Sequence, residues 1–265
     1  MKKNRFLPSL FLLGLIHLFL LVPTALFLDW QYLIPALALL GAMDLFLFFV
    51  YEKQLFSSLP LTPLPPEDPW NLHSLLKKSS PSLPVTLYLI KVPYPISLCF
   101  GNFGFCRIVF SEKLLEMLSP EEKEIILSYY VQAGTRGWVF FFTLISALLK
   151  GANGFFVILN LPNRLFQKKQ TMNIVFRLFL QGLSPFLRKI HLHLDQKIQG
   201  PSPKKLARTL WKMQSLYDTE SSPLSAPLAP LCFANPLTNS KTGDSIPLQP
   251  NKRQRTKALI GAYPP

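Results

Sequence analysis

From Phe6 to Leu28 the chain carries no charged residue, and only Ser9, His17 and Thr24 interrupt its apolar side chains. As a helix, such a run is long enough to cross a hydrocarbon core of about 30 Å. A break at Asp29-Trp30-Gln31 leads into a second apolar run, Tyr32 to Tyr51, so the pattern predicts a transmembrane helical hairpin over residues 1–52, with Trp30 interfacial in its turn. Lys2, Lys3 and Arg5 precede the first run, which places the N-terminus and everything after Glu52 on the cytoplasmic side. The run is too long for a signal peptide, and no small-residue cleavage site follows it. The expected location is therefore an inner or plasma membrane, with the bulk of the chain cytoplasmic. His17 and Asp44 fall at similar depth in the two antiparallel spans, where a hydrogen bond or ion pair is open to them.

Composition points the same way. Apolar residues make up 49%, 22 of the residues are Phe, and 28 Lys and Arg stand against 14 Asp and Glu, a net of +14. That excess favours an anionic partner, and membrane lipid is the expected one. Nucleic acid is not, because the basic residues sit near apolar segments and nothing resembles a base-reading module. Three cysteines are too few for a disulfide framework and suit a reducing compartment. Cys99 and Cys106 flank Gly101-Asn102-Phe103-Gly104 and can face each other across a hairpin, as buried thiols or as a bonded pair.

Residues 53–84 are rich in Pro and Ser and read as a linker, with a short helix at Trp70 to Lys78. Val85 to Lys91, Ile96 to Phe100 and Cys106 to Phe110 read as three strands of a small sheet. Ser119 and Glu122 form a capping box with Pro120 at the first helical position, predicting a helix through Ala133. Apolar stretches near 138–161 and 172–187 are candidate further membrane segments; Arg177 in the second costs about 2.5 to 3.5 kcal/mol at the centre of a span. A basic helix from Pro203 to Tyr217 follows, then a Pro/Ser-rich basic tail over 219–265 that ends in the charged run Lys252 to Lys257. The expected fold class is α+β: a membrane helical hairpin, a mainly helical domain over 85–218 with a small β-sheet, and a disordered C-terminal tail.

The order of these pieces resembles the HtpX-like family of integral-membrane zinc metallopeptidases. Two early spans, a Pro-rich connector, a Gly-marked strand pair, the turn Ser111 to Leu115, the capped helix and two later apolar segments come in family order. Leu231-Cys232-Phe233-Ala234-Asn235-Pro236-Leu237 and Pro247 to Leu259 are similar to that family's ending. The resemblance implies a metallopeptidase-like domain and, in active members, a zinc ion on a His-Glu-x-x-His helix. Here the corresponding positions hold Tyr129, Tyr130 and Ala133. The segment His191-Leu192-His193-Leu194-Asp195 fits the family's Glu-x-x-x-Asp frame, with His191 at the ligand position and Asp195 retained.

A zinc site of this kind needs two helical His four residues apart, a third ligand, and a Glu to take a proton from the bound water. Tyr129 and Tyr130 carry neutral phenols at pH 7 and Ala133 carries no donor. The only histidines are His17, His73, His191 and His193, so no register supplies a helical pair. His191, His193 and Asp195 are the remaining weak metal candidates, although His191 and His193 point to different helix faces. Ser128 lacks a nearby His and does not read as a nucleophile. No cofactor is expected, and the altered ligands and base point away from an enzyme. The functional expectation is a pseudopeptidase that binds membrane-protein segments or a partner protease. The alternatives are a residual metalloendopeptidase of membrane protein quality control, using Tyr129, His191 and Asp195, and a membrane-anchored structural adaptor.

Overall fold

The computed structural model describes residues 41–42, 49–79, 82–102, 104–159, 174–198, 202–219, 226–234 and 248–261. The sheet is built first by pattern. β1 (Leu61–Pro63), β2 (Val85–Ile90), β3 (Ser97–Gly101) and β4 (Cys106–Ser111) lie in the order β1-β2-β4-β3. β2 and β4 pair in parallel, while β1 on β2 and β3 on β4 are antiparallel. The strands expected at Val85 to Lys91, Ile96 to Phe100 and Cys106 to Phe110 match β2, β3 and β4 to within one residue at each end. β1 lies inside the expected linker, where Pro63 is tolerated because this is an edge strand.

Helices cover the sheet. The described helical residues 49–58 (α1) and α2 (Leu72–Ser79) precede β2, and α3 (Glu112–Met117) and α4 (Pro120–Thr135) follow β4. α4 starts where the chain dictates: Ser119 accepts a hydrogen bond from the Glu122 amide, the Glu122 carboxylate accepts one from the Ser119 amide, and Pro120 is at the first turn. α5 (Trp138–Leu159), α6 (Ile174–Lys197) and α7 (Pro203–Thr219) complete the helical layer. Ile96, Leu98, Phe100, Ile108, Phe110, Leu114, Leu115 and Ile126 are fully buried and form the centre of the core.

The expected membrane architecture does not hold for the described residues. Among the described residues no helix is long and apolar enough to cross a membrane, so integral-membrane localisation and further spans near 138–161 and 172–187 are not supported. The reason lies in α5. Its apolar stretch is interrupted at Lys150-Gly151 and Asn153, and the part before Lys150, Trp138 to Leu149, has the length of a buried core helix. Val139, Phe141, Phe142, Ile145 and Leu149 are buried in the domain core, and Thr143 accepts a hydrogen bond from the Gly101 amide at 3.1 Å. α6 is broken in hydrophobicity by exposed Gln181 and Gly182 and by Pro185. Most of the expected hairpin, including His17 and Asp44, lies outside the described residues. Its final turn is described and docks on the domain: Tyr51 Oη lies 2.6 Å from Ser146 Oγ, and Glu52 pairs with Arg107. Arg107 lies over the rings of Phe56, Phe100 and Phe105 at 5.3, 5.9 and 4.2 Å.

The expected disordered tail is the second correction. Ala226–Leu231 is a 3-10 turn, Cys232, Phe233 and Ala234 are buried, and α8 (Lys252–Ile260) packs on α7 and α6. α8 has its own local grammar. Asn251 and Gln254 form a capping box, and Gly261 closes the helix in the left-handed region at φ 73°.

Two glycines separate backbone need from helix propensity. A Cβ at Gly101 would stand 2.4 Å from the Phe105 carbonyl oxygen, whereas one at Gly182 in α6 meets nothing within 4 Å. Gly101→Ala is expected to destabilise the chain by about 1–3 kcal/mol and Gly182→Ala to stabilise it by about 0.8–1 kcal/mol in urea unfolding. Equal effects of the two would contradict this packing.

Candidate functional site

Tyr129 and Ala133 are one turn apart on the inner face of α4, and His191 and Asp195 hold the same spacing on α6. The structure brings the two faces together. Tyr129 Oη donates to Asp195 Oδ1 at 3.1 Å, and all four residues are buried. Arg255 enters from α8. Its Nε donates to Asp195 Oδ2 at 2.6 Å and its Nη2 to Asp195 Oδ1 at 2.5 Å, a two-pronged pair in which neither side chain is more than 3% exposed. Nη2 also donates to Tyr129 Oη at 3.3 Å, and Nη1 donates to the Phe233 carbonyl at 2.5 Å.

Phe233 packs beside the guanidinium, which lies 5.8 Å from its ring centroid. Its ring meets Tyr129 and Tyr130 edge-on with centroids 5.0 and 6.1 Å apart. Tyr130 Oη donates to Ser97 Oγ at 3.3 Å and so ties α4 to β3. Segment 229–234 is held between two clamps. On one side Leu98 and Cys232 form an antiparallel bridge and the Phe233 amide donates to the Ser97 carbonyl at 3.4 Å. On the other, Gln249 Nε2 donates to the carbonyls of Ala229 and Cys232, at 2.5 and 2.9 Å, and Arg255 holds that of Phe233.

His191 is buried against Phe142, with ring centroids 4.3 Å apart and planes 14° from parallel. Among the described residues neither of its ring nitrogens has a hydrogen-bond partner. His193 is exposed on another face of α6, its ring centroid 6.4 Å from that of Trp138, so it does not join His191 and Asp195. Ala133 contributes only a methyl group. Ser128 accepts from Gln132 Nε2 at 3.3 Å and faces none of these groups.

Electrostatics keep the site closed. Burial, reinforced by the Asp195 charge, pushes the Tyr129 hydroxyl well above its usual range, so it stays a neutral donor. Burial and then the Arg255 charge hold His191 well below the ordinary imidazole range. Burial works against the Arg255 charge, but the adjacent Asp195 carboxylate overcomes it and the guanidinium is held more firmly protonated than usual. The zinc that the family resemblance implies does not fit these residues. Both Asp195 oxygens are taken by Arg255, Tyr129 is a phenol engaged with Asp195, and among the described residues no group of three or more His, Cys, Asp or Glu side chains can hold a metal ion. Arg255, Phe233 and Gln249 were not singled out by sequence. The available signal was Asn251 followed three residues later by Gln254, which marks a helix start in the tail and turns Arg255 and Thr256 inward. No family model and no curated protein matches this chain.

Removing one member of the buried pair strands the other. Asp195→Leu or Arg255→Met alone is expected to cost about 3–5 kcal/mol in denaturant unfolding, and the double variant much less than the sum, since apolar replacement of a whole buried pair is often neutral. Additive losses would show that the two side chains act independently.

His191 sets a pH dependence. The unfolded imidazole takes up a proton near pH 6.5, while the folded one resists until well below that value. The unfolded state thus binds more protons in this window, and stability falls as pH drops below about 6.5, by up to about 1.4 kcal/mol per pH unit. His191→Phe should flatten that part of the stability curve; an unchanged slope would place the titration elsewhere.

Proposed function

We propose that this protein is a non-hydrolytic, peptidase-like binding protein, related to the HtpX-like metallopeptidases, that engages extended polypeptide segments. The observation that carries the reading is the Arg255–Asp195–Tyr129 network. Hydrolysis of this type depends on a metal with an open coordination position or on a free base beside a water. Here a guanidinium with its donors already committed takes the acidic residue, and the helix offers phenols and a methyl group where ligands and base are needed. Binding has a different requirement, which is a sheet edge able to accept another strand. Supporting this, β3 already accepts a segment of its own chain in antiparallel sense at Leu98 and Cys232, with an aromatic side chain seated between two tyrosines.

The test uses the full chain purified from zinc-supplemented medium, with metal content measured alongside binding and cleavage of a fluorescently labelled, permanently unfolded protein. Substoichiometric metal, saturable binding and an intact labelled chain are expected. One zinc per chain that disappears in His191→Ala, or zinc-dependent cleavage, would overturn the reading in favour of a metallopeptidase. Absence of binding would remove the polypeptide ligand.

A further inference from the structure

On the α4-facing side of the sheet, two thiols stand in contact. Cys99 of β3 is opposite Ile108, and Cys106 of β4 is opposite Gly101, so the two cysteines are diagonal neighbours on the same face of one antiparallel pair. Their Sγ atoms are 3.0 Å apart, both residues are buried, and both are free thiols. Gly134 of α4 lies directly above; a Cβ there would come within 3.5 Å of Cys106 Sγ. The third thiol is engaged elsewhere: Cys232 Sγ donates to the Leu228 carbonyl at 3.6 Å.

We propose that Cys99 and Cys106 are a redox pair that closes reversibly to a disulfide, stapling β3 to β4 beneath α4, with Cys232 remaining a thiol. Adjacent strands already supply the approach of the two side chains, and bonding requires the sulfurs to move only about 1 Å closer, to the ordinary bond length near 2.05 Å. The oxidant is a hydroperoxide, with hydrogen peroxide the simplest. One thiol sulfur attacks a peroxide oxygen, the O–O bond breaks, and a sulfenic acid and one water result. The second thiol then displaces the hydroxyl, forming the S–S bond and releasing the second water. Two thiols and one hydrogen peroxide thus give one disulfide and two waters. Burial pushes the Cys99 thiol well up, so the resting group is protonated, and closure should quicken as pH rises. The staple joins the strand that carries Ser97, the partner of Tyr130, to the strand next to it, and so fixes the edge against which segment 229–234 lies.

Trypsin releases both cysteines in one peptide, Val92 to Arg107, and Cys232 in another, Met213 to Lys241. The full folded chain is exposed to hydrogen peroxide, unfolded in iodoacetamide, digested and weighed. The expected result is a Val92 to Arg107 peptide lighter by two hydrogens and without alkylation, an alkylated Cys232, and full alkylation of all three after dithiothreitol. The melting temperature should rise on oxidation, and Cys106→Ala should abolish that rise while keeping Cys99 alkylatable. Alkylation of both Cys99 and Cys106 after oxidation, their conversion to sulfinic acids, or a bond to Cys232 would each overturn the proposal. Should Cys106→Ala fail to fold, Cys99→Ala provides the same comparison and the native peptide masses decide alone.

Discussion

A guanidinium buried among Tyr129, Asp195 and Phe233 ties α4, α6, α8 and segment 229–234 into one unit. Moving such a charge out of water costs several kcal/mol, and only a full set of acceptors offsets it. Arg255 has that set: two carboxylate oxygens, one carbonyl and one phenol oxygen. None of the elements can shift alone without stranding a charge or a carbonyl in the core. The cap at Asn251 and the left-handed Gly261 then matter beyond their local worth, because they fix the orientation of the short helix that delivers the guanidinium.

Local grammar was legible where the residues themselves specify the backbone. Ser119, Pro120 and Glu122 dictate the start of α4 through hydrogen bonds that span only three residues, and alternation in 85–90 and 106–111 marks strands by side-chain packing. The frame His191 to Asp195 was legible as a pair of positions, and Tyr129 does meet Asp195. What escaped was tertiary. Lys252 to Lys257 reads as a charged run because six of the nine residues in α8 are polar or basic; burial of Arg255 depends on an aspartate 60 residues away. Likewise the apolar side chains of 138–149 leave water equally well in a lipid bilayer or in a protein core, and composition alone does not separate the two. Tertiary partners do, since Thr143 accepts from the Gly101 amide and Phe141 and Phe142 lie in the domain core. β1 escaped for a third reason: three residues containing Pro63 gain strand character only from pairing with β2.

The chemistry of the site follows from how its polar atoms are used. A reactive centre keeps something in reserve, such as an unpaired lone pair, an open coordination position or a group poised to change its protonation. Asp195 keeps none, because each oxygen accepts a charged hydrogen bond from Arg255 and Oδ1 takes the Tyr129 hydroxyl as well. Tyr129 and His191 are both held in their neutral forms by burial. Among the described residues of the site, spare capacity is left on His191, whose two unpartnered nitrogens cost about 1–3 kcal/mol each when buried, and on Gln249 Oε1. The contacts that stabilise the cluster are the same ones that occupy both oxygens of the carboxylate. The edge of β3 beside it is paired with segment 229–234 through the Leu98–Cys232 bridge and the Phe233 amide. It is on this use of its polar atoms that the proposal of backbone recognition rather than cleavage rests.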